Sequence, residues 1–171
     1  MQLSYSLEVD APRSRVWAML RDPQVMAPAI PGFQSLEVLD SQTFRVQIAQ
    51  SVGPFRARVE LVMVLSEIVH DQTLAASERI SGNGRSWLRI PYVVVELESI
   101  ADDGTRLSFS VEFSLAGKLD TLGYPLVKQK ADKMARRFGE NLKQGLEKEH
   151  GRTLSQNGSP GPALLDHSQR P

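Results

Sequence analysis

Cysteine is absent from this chain of 171 residues, and histidine occurs only as His70, His150 and His167. The first absence excludes disulfides and thiolate metal sites, and the second makes a His-rich metal centre a poor fit. Charge of either sign is not in excess: 20 basic residues balance 20 acidic ones, which argues against a nucleic-acid binder. The apolar runs fall far short of a membrane span. The first residues, MQLSYSLEVDAPRS, hold no basic leader followed by an apolar stretch, so no signal peptide is expected. Missing too are a Ser-His-Asp set, carboxylates paired at useful spacing, a glycine-rich phosphate loop and a metal signature. The expectation is a soluble cytoplasmic chain of one domain plus a tail, large enough to bury a core without covalent help.

What is present begins with residues 8 to 37, EVDAPRSRVWAMLRDPQVMAPAIPGFQSLE. Leu3, Tyr5, Leu7 and Val9 alternate as a strand with one buried face, and Ala11-Pro12 stops it because proline cannot donate to the ladder. A short helix carrying Val16, Trp17 and Leu20 follows, with Ser14 as candidate cap and Asp22-Pro23 at its end. A second short turn closes on Pro31-Gly32. A hairpin needs only a few residues, so an insert this long is expected to close one end of a curved sheet.

From Phe33 onward six strands are predicted. They comprise residues 35–40, 43–51 and 55–65, then 73–81, 85–100 and 107–115. Asn83-Gly84 and Asp102-Asp103-Gly104 are tight-turn signals, and Pro91 implies a bulge or an edge position. After Gly117 the period changes from two to about 3.6. Leu119, Leu122, Leu126, Met134, Phe138, Leu142 and Leu146 form one apolar stripe on a helix expected to start near Tyr124, or after a lead-in turn there, and to run to about Glu149. The remainder, rich in Gly, Pro and Ser, reads as a disordered tail over residues 150–171. The layout is α+β: a seven-stranded curved antiparallel sheet, two short helices after the first strand, and a long C-terminal helix over the concave face.

This order resembles the helix-grip fold of the SRPBCC, START-like or Bet v 1-like superfamily, and within it the CoxG family of carbon monoxide dehydrogenase subunits. The residues that carry the resemblance are Ala11-Pro12, Val16-Trp17, Leu20, Asp22-Pro23 and Ile30-Pro31-Gly32, then Gly53-Pro54-Phe55, residues 103–107, residues 116–119 and Leu122-Gly123. It covers about residues 2 to 149 and makes residues 1–149 a START-like ligand-binding domain. Ala29 stands where the family often has cysteine, Pro91 and Tyr92 depart from its pattern, and the tail lacks a hydrophobic anchor. The resemblance implies an accessory or carrier role, not catalysis, beside a molybdenum hydroxylase of the carbon monoxide dehydrogenase type, in maturation, membrane attachment or electron-acceptor supply. It implies no cofactor other than a bound quinone or other lipid. Expected partners are a lipophilic small molecule and that enzyme, with peripheral contact at the inner membrane face and no nucleic acid.

The residues expected to face the cavity are Trp17, Phe44, Val46, Val59, Leu61, Met63, Trp87, Val93, Val95, Phe109, Val111, Phe113, Leu126, Met134 and Phe138. They read either as an ordinary packed core or, in part, as the lining of a hydrophobic pocket, because a curved sheet and one straight helix leave space between them. Burying a lipid chain there gains about 0.8 kcal/mol per methylene. Trp17 plugs the sheet end or lines a portal. Glu78, Arg79 and Arg89 are the charged residues of central strands able to turn inward; without partners they are edge or solvent charges. A buried, hydrogen-bonded Glu78 or Arg89 would favour the alternative of a polyketide cyclase or aromatase on the same fold. A third reading is an assembly chaperone whose cavity is filled. Lys128, Lys130, Lys133, Arg136 and Arg137 make the helix basic, either as a solvated face or as a surface for an acidic partner or anionic headgroups. His70 is expected exposed at a hairpin tip.

Overall fold

In a computed structural model, residues 1–80 and 86–156 are described, with side chains through residue 148. The Asn83-Gly84 turn and the last fifteen positions of the expected tail lie outside the described residues. The chain runs β1 (Gln2–Val9), α1 (Arg13–Arg21), α2 (Pro23–Met26), a 3₁₀ turn (Ala27–Ala29), β2 (Phe33–Val38), β3 (Thr43–Val52), β4 (Phe55–Val69), β5 (Thr73–Arg79), β6 (Leu88–Ile100) and β7 (Gly104–Leu115). A second 3₁₀ turn (Gly117–Leu122) leads into α3 (Tyr124–Gln156).

The strands form one antiparallel sheet in the order β1-β7-β6-β5-β4-β3-β2. It is curved, a half-barrel that α3 covers on the concave side. β1 and β2, consecutive in sequence, therefore lie at opposite edges. That explains the length of the insert: α1, α2 and the 3₁₀ turn must cross the sheet end from one edge to the other. Register shifts between Phe33 and Ser35, Glu67 and Val69, and Arg89 and Tyr92 add local twist where the sheet bends. Asp102 and Asp103 both have positive φ between Ala101 and Gly104, the twist-matched turn that their sequence indicates.

Three local expectations are corrected. Ser14 is not a cap: α1 starts at Arg13, Pro12 is its N-cap, and no side chain caps it. Proline fixes φ and suits the position. Pro91 lies on a central strand, not an edge; the bulge accommodates its missing N–H. The long helix passes Glu149 and Gly151 to reach Gln156, since one glycine weakens a helix without ending it. Asp22 is both the end of α1 and the cap of α2, its carboxylate accepting the Gln24 N–H at 2.9 Å.

Candidate functional site

Strand alternation turns one set of side chains toward α3, and between them lies a cavity of about 300 Å³, partly open to solvent. Its floor comes from Phe44 and Val46 on β3, Val59, Leu61 and Met63 on β4, Val93 and Val95 on β6 with Trp87 just before it, and Phe109, Val111 and Phe113 on β7. Met134 and Phe138 hang from α3. Phe138 meets Phe109 edge-on at 5.7 Å, and Tyr5 tilts against Phe109 at the same distance. Trp87 is fixed by donating its ring N–H to the Arg58 carbonyl at 2.7 Å.

Two expected lining residues are elsewhere. Trp17 is buried in the core of α1, its ring edge-on to His70 and under the Arg21 guanidinium, so it plugs the sheet end. Leu126 is 38% exposed and sits with Leu122 over Gly53 of the β3–β4 turn. Val127, 6% exposed, faces the cavity in its place, followed at helical spacing by Ala131 and Ala135. The phase of α3 at its first turn differs from the stripe because the helix begins only at Tyr124. Sequence reasoning also missed Leu20, Met26, Ile30 and Pro31, which bring the insert to the wall. The alternation of β3 carried a signal for Ile48, Gln50 and Val52, which share the parity of Phe44 and Val46.

The cavity lies under the first half of α3 only. Beyond Phe138 the helix presses on its neighbours: a Cβ on Gly139 would lie 3.1 Å from the Tyr5 ring and 3.2 Å from a Leu7 methyl. Leu142 and Leu146 are buried there. Asn141 donates to the Ala29 carbonyl at 2.9 Å, and Thr105, fully buried, donates to the Ala11 carbonyl at 2.7 Å. Ion pairs Arg13–Asp71 at 3.2 Å and Arg21–Glu67 at 3.7 Å tie α1 to the β4–β5 turn region. His70 is exposed, as expected, and binds Glu67 at 2.6 Å.

At Ile30-Pro31-Gly32 the backbone leaves no choice of residue. Gly32 has φ of 80°, and a Cβ there would stand 2.1 Å from the Ala49 carbonyl oxygen. Gln50 donates to the Pro31 carbonyl at 2.6 Å, so one of the few polar side chains at the cavity is already engaged.

Glu78 and Arg89 are not solvent charges. Arg89 Nε lies 2.9 Å from one Glu78 oxygen and 3.0 Å from the other, which also accepts the Ile90 N–H at 2.8 Å. The β5–β6 ladder ends at the pair Ser77–Tyr92, so the Glu78 carboxylate replaces the strand partner lost at Pro91. The pair is a clamp on the bulge, and neither residue belongs to the cavity wall. Arg79 is exposed.

Of the basic helix residues, Lys128 pairs with Asp132 at 2.7 Å, a contact that raises its pKa above the usual lysine value. Lys133, Arg136 and Arg137 are exposed. Lys130 departs from the expectation of an outward docking residue: it is half-buried and lines the cavity. Among the described residues no group of three or more His, Cys, Asp or Glu side chains is placed to hold a metal, and no helix is long and apolar enough to cross a membrane.

A curved antiparallel sheet gripping one long helix over an apolar cavity defines the START-like, helix-grip class. The chain belongs to the CoxG family of carbon monoxide dehydrogenase subunits, whose sequence model matches residues 6–147. Similar solved structures include a conserved protein of Geobacillus kaustophilus (17% identity, TM-score 0.75, 86% of this chain and 96% of that one). Another is a START superfamily protein of Mycobacterium smegmatis (13%, 0.67, 86% and 97%). A third is the ZhuI aromatase/cyclase of a Streptomyces species (15%, 0.61, 94% and 99%). At these identities they establish the fold alone. No curated protein matches the sequence.

Proposed function

We propose that this chain is a non-enzymatic accessory protein that carries a lipophilic molecule, a quinone foremost, in the cavity under α3, and serves a carbon monoxide dehydrogenase-type molybdenum hydroxylase. The observation that carries this reading is an open volume of about 300 Å³ with an almost wholly apolar wall. An engineered apolar cavity of about 150 Å³ binds benzene, so this one admits a body about twice that size. Family membership supplies the enzyme partner. The open volume also speaks against the chaperone reading, which needs a filled interior. Lys128, Lys133, Arg136 and Arg137 offer a basic face for an acidic partner surface or for anionic lipid at the cytoplasmic side of the membrane, each residue contributing about 1 kcal/mol at most.

The cyclase or aromatase reading draws on the fold of the Streptomyces neighbour and on the buried Glu78–Arg89 pair. It is the weaker one, because that pair is spent on the β6 bulge and lies off the cavity wall. The test is native mass spectrometry of gently purified protein, with and without an added short-chain quinone, beside Ala131→Trp, which fills the cavity from α3. Bound mass on the wild type that Ala131→Trp loses is the expected result. A wild type that neither retains nor takes up a lipophile rules the carrier out.

A further inference from the structure

The i, i+4 row that faces the sheet from α3 reads Lys130, Met134, Phe138, Leu142, Leu146. Its four later members are apolar, and the last two are core residues. Lys130 breaks the row where the cavity is open. It stands among apolar lining residues, half-buried, and its ammonium has no ion-pair or hydrogen-bond partner among the described residues. Its basic neighbours differ: Lys128 has Asp132, while Lys133, Arg136 and Arg137 point into water. A cation held against apolar surface is stabilised by an oxygen acceptor brought close to it, and a ligand without one gains nothing there.

We infer that Lys130 receives the polar end of the cavity's ligand, so that the protein selects an amphipathic molecule with an oxygen acceptor at one end and an apolar body lying toward Phe109 and Phe138. The acceptor is a carboxylate of an acyl chain or a carbonyl of a ring such as a quinone; the donor chemistry is the same. This rests on the carrier reading above and adds to it the orientation of the ligand: head at the first turns of α3, apolar end toward the packed half of the molecule. Gln50 does not compete for the head, because its amide is bonded to Pro31.

The experiment uses two fluorescent probes that share an apolar body, phenylnaphthylamine, which is neutral, and anilinonaphthalene sulfonate, which adds an anionic oxygen group. The full chain and Lys130→Met are titrated with each. The expected result is about tenfold weaker binding of the sulfonate to Lys130→Met, with phenylnaphthylamine within about twofold, and recovery in Lys130→Arg. Retained binding of the neutral probe also shows that the variant folds. Dodecanoate and a decyl quinone, each displacing the neutral probe, then separate the two sources. Weakening of both by Lys130→Met assigns a general acceptor site, and weakening of dodecanoate alone assigns an anionic head. If neither weakens while the neutral probe still binds, Lys130 merely extends its stem along the wall to water and the inference falls. Failure of the neutral probe to bind the wild type removes the carrier reading instead.

Discussion

At the end closed by α1 and α2, Val9, Val16, Leu107 and Leu142 are each 2% exposed or less, while at the hairpin end Trp87, Leu88, Ile90, Phe113 and Leu115 are all only partly covered. Both ends are roofed by the same helix and floored by the same sheet, and both sets of residues are apolar. They differ in what separates helix from sheet. Gly139 and Gly145 let α3 come close to Tyr5, Leu7 and Met19 at one end. At the other, Lys130, Met134 and Phe138 stand between helix and floor without filling the space. An apolar surface thus becomes core where a missing Cβ allows contact, and a binding cavity where it does not.

Three further measurements sharpen or break that comparison. The largest effect is expected from Leu142→Ala at the packed end, where the lost contacts and the void left behind destabilise by about 3 kcal/mol in urea unfolding. Met134→Ala should cost only about 1 kcal/mol, because part of that side chain already faces open space. Equal losses at the two sites would mean that the cavity is as well packed as the core. The smallest effect belongs to Asp40 in the β2–β3 turn, beside the packed end. The Gln42 N–H above all, and then Thr43, hold its carboxyl below the ordinary 3.8. A depressed folded pKa adds stability above the unfolded value and loses it as pH falls through the folded one. Acid unfolding should therefore show a small decline below pH 3.8 that Asp40→Ala abolishes, and a decline that survives the substitution assigns it to other carboxylates.

Much of this architecture was legible in the chain. Alternation such as Phe109, Val111 and Phe113 against Ser108, Ser110 and Glu112 states which side of a strand is covered, and Asp102-Asp103-Gly104 states where it turns. Ile30-Pro31-Gly32 marked a tight reversal, and the approach of Gly32 to Ala49 supplies its cause. The Glu78–Arg89 clamp was not legible, since it joins two strands through a bulge whose partner is missing at Pro91. Leu126 was misplaced because periodicity gives the phase of a helix but not where the sheet beneath it ends. Lys130 was grouped with its charged neighbours by composition, although its spacing from Met134 and Phe138 already placed it in their row.

The sequence by itself determined the strands, the long helix, the order of elements and the family, because period, turn chemistry and glycine geometry act over a few residues. Tertiary structure alone decided which apolar residues became wall and which became core, and which charge was left facing the cavity. Those outcomes depend on how closely one helix approaches seven strands, a distance set jointly by residues far apart in the chain, which no local pattern contains.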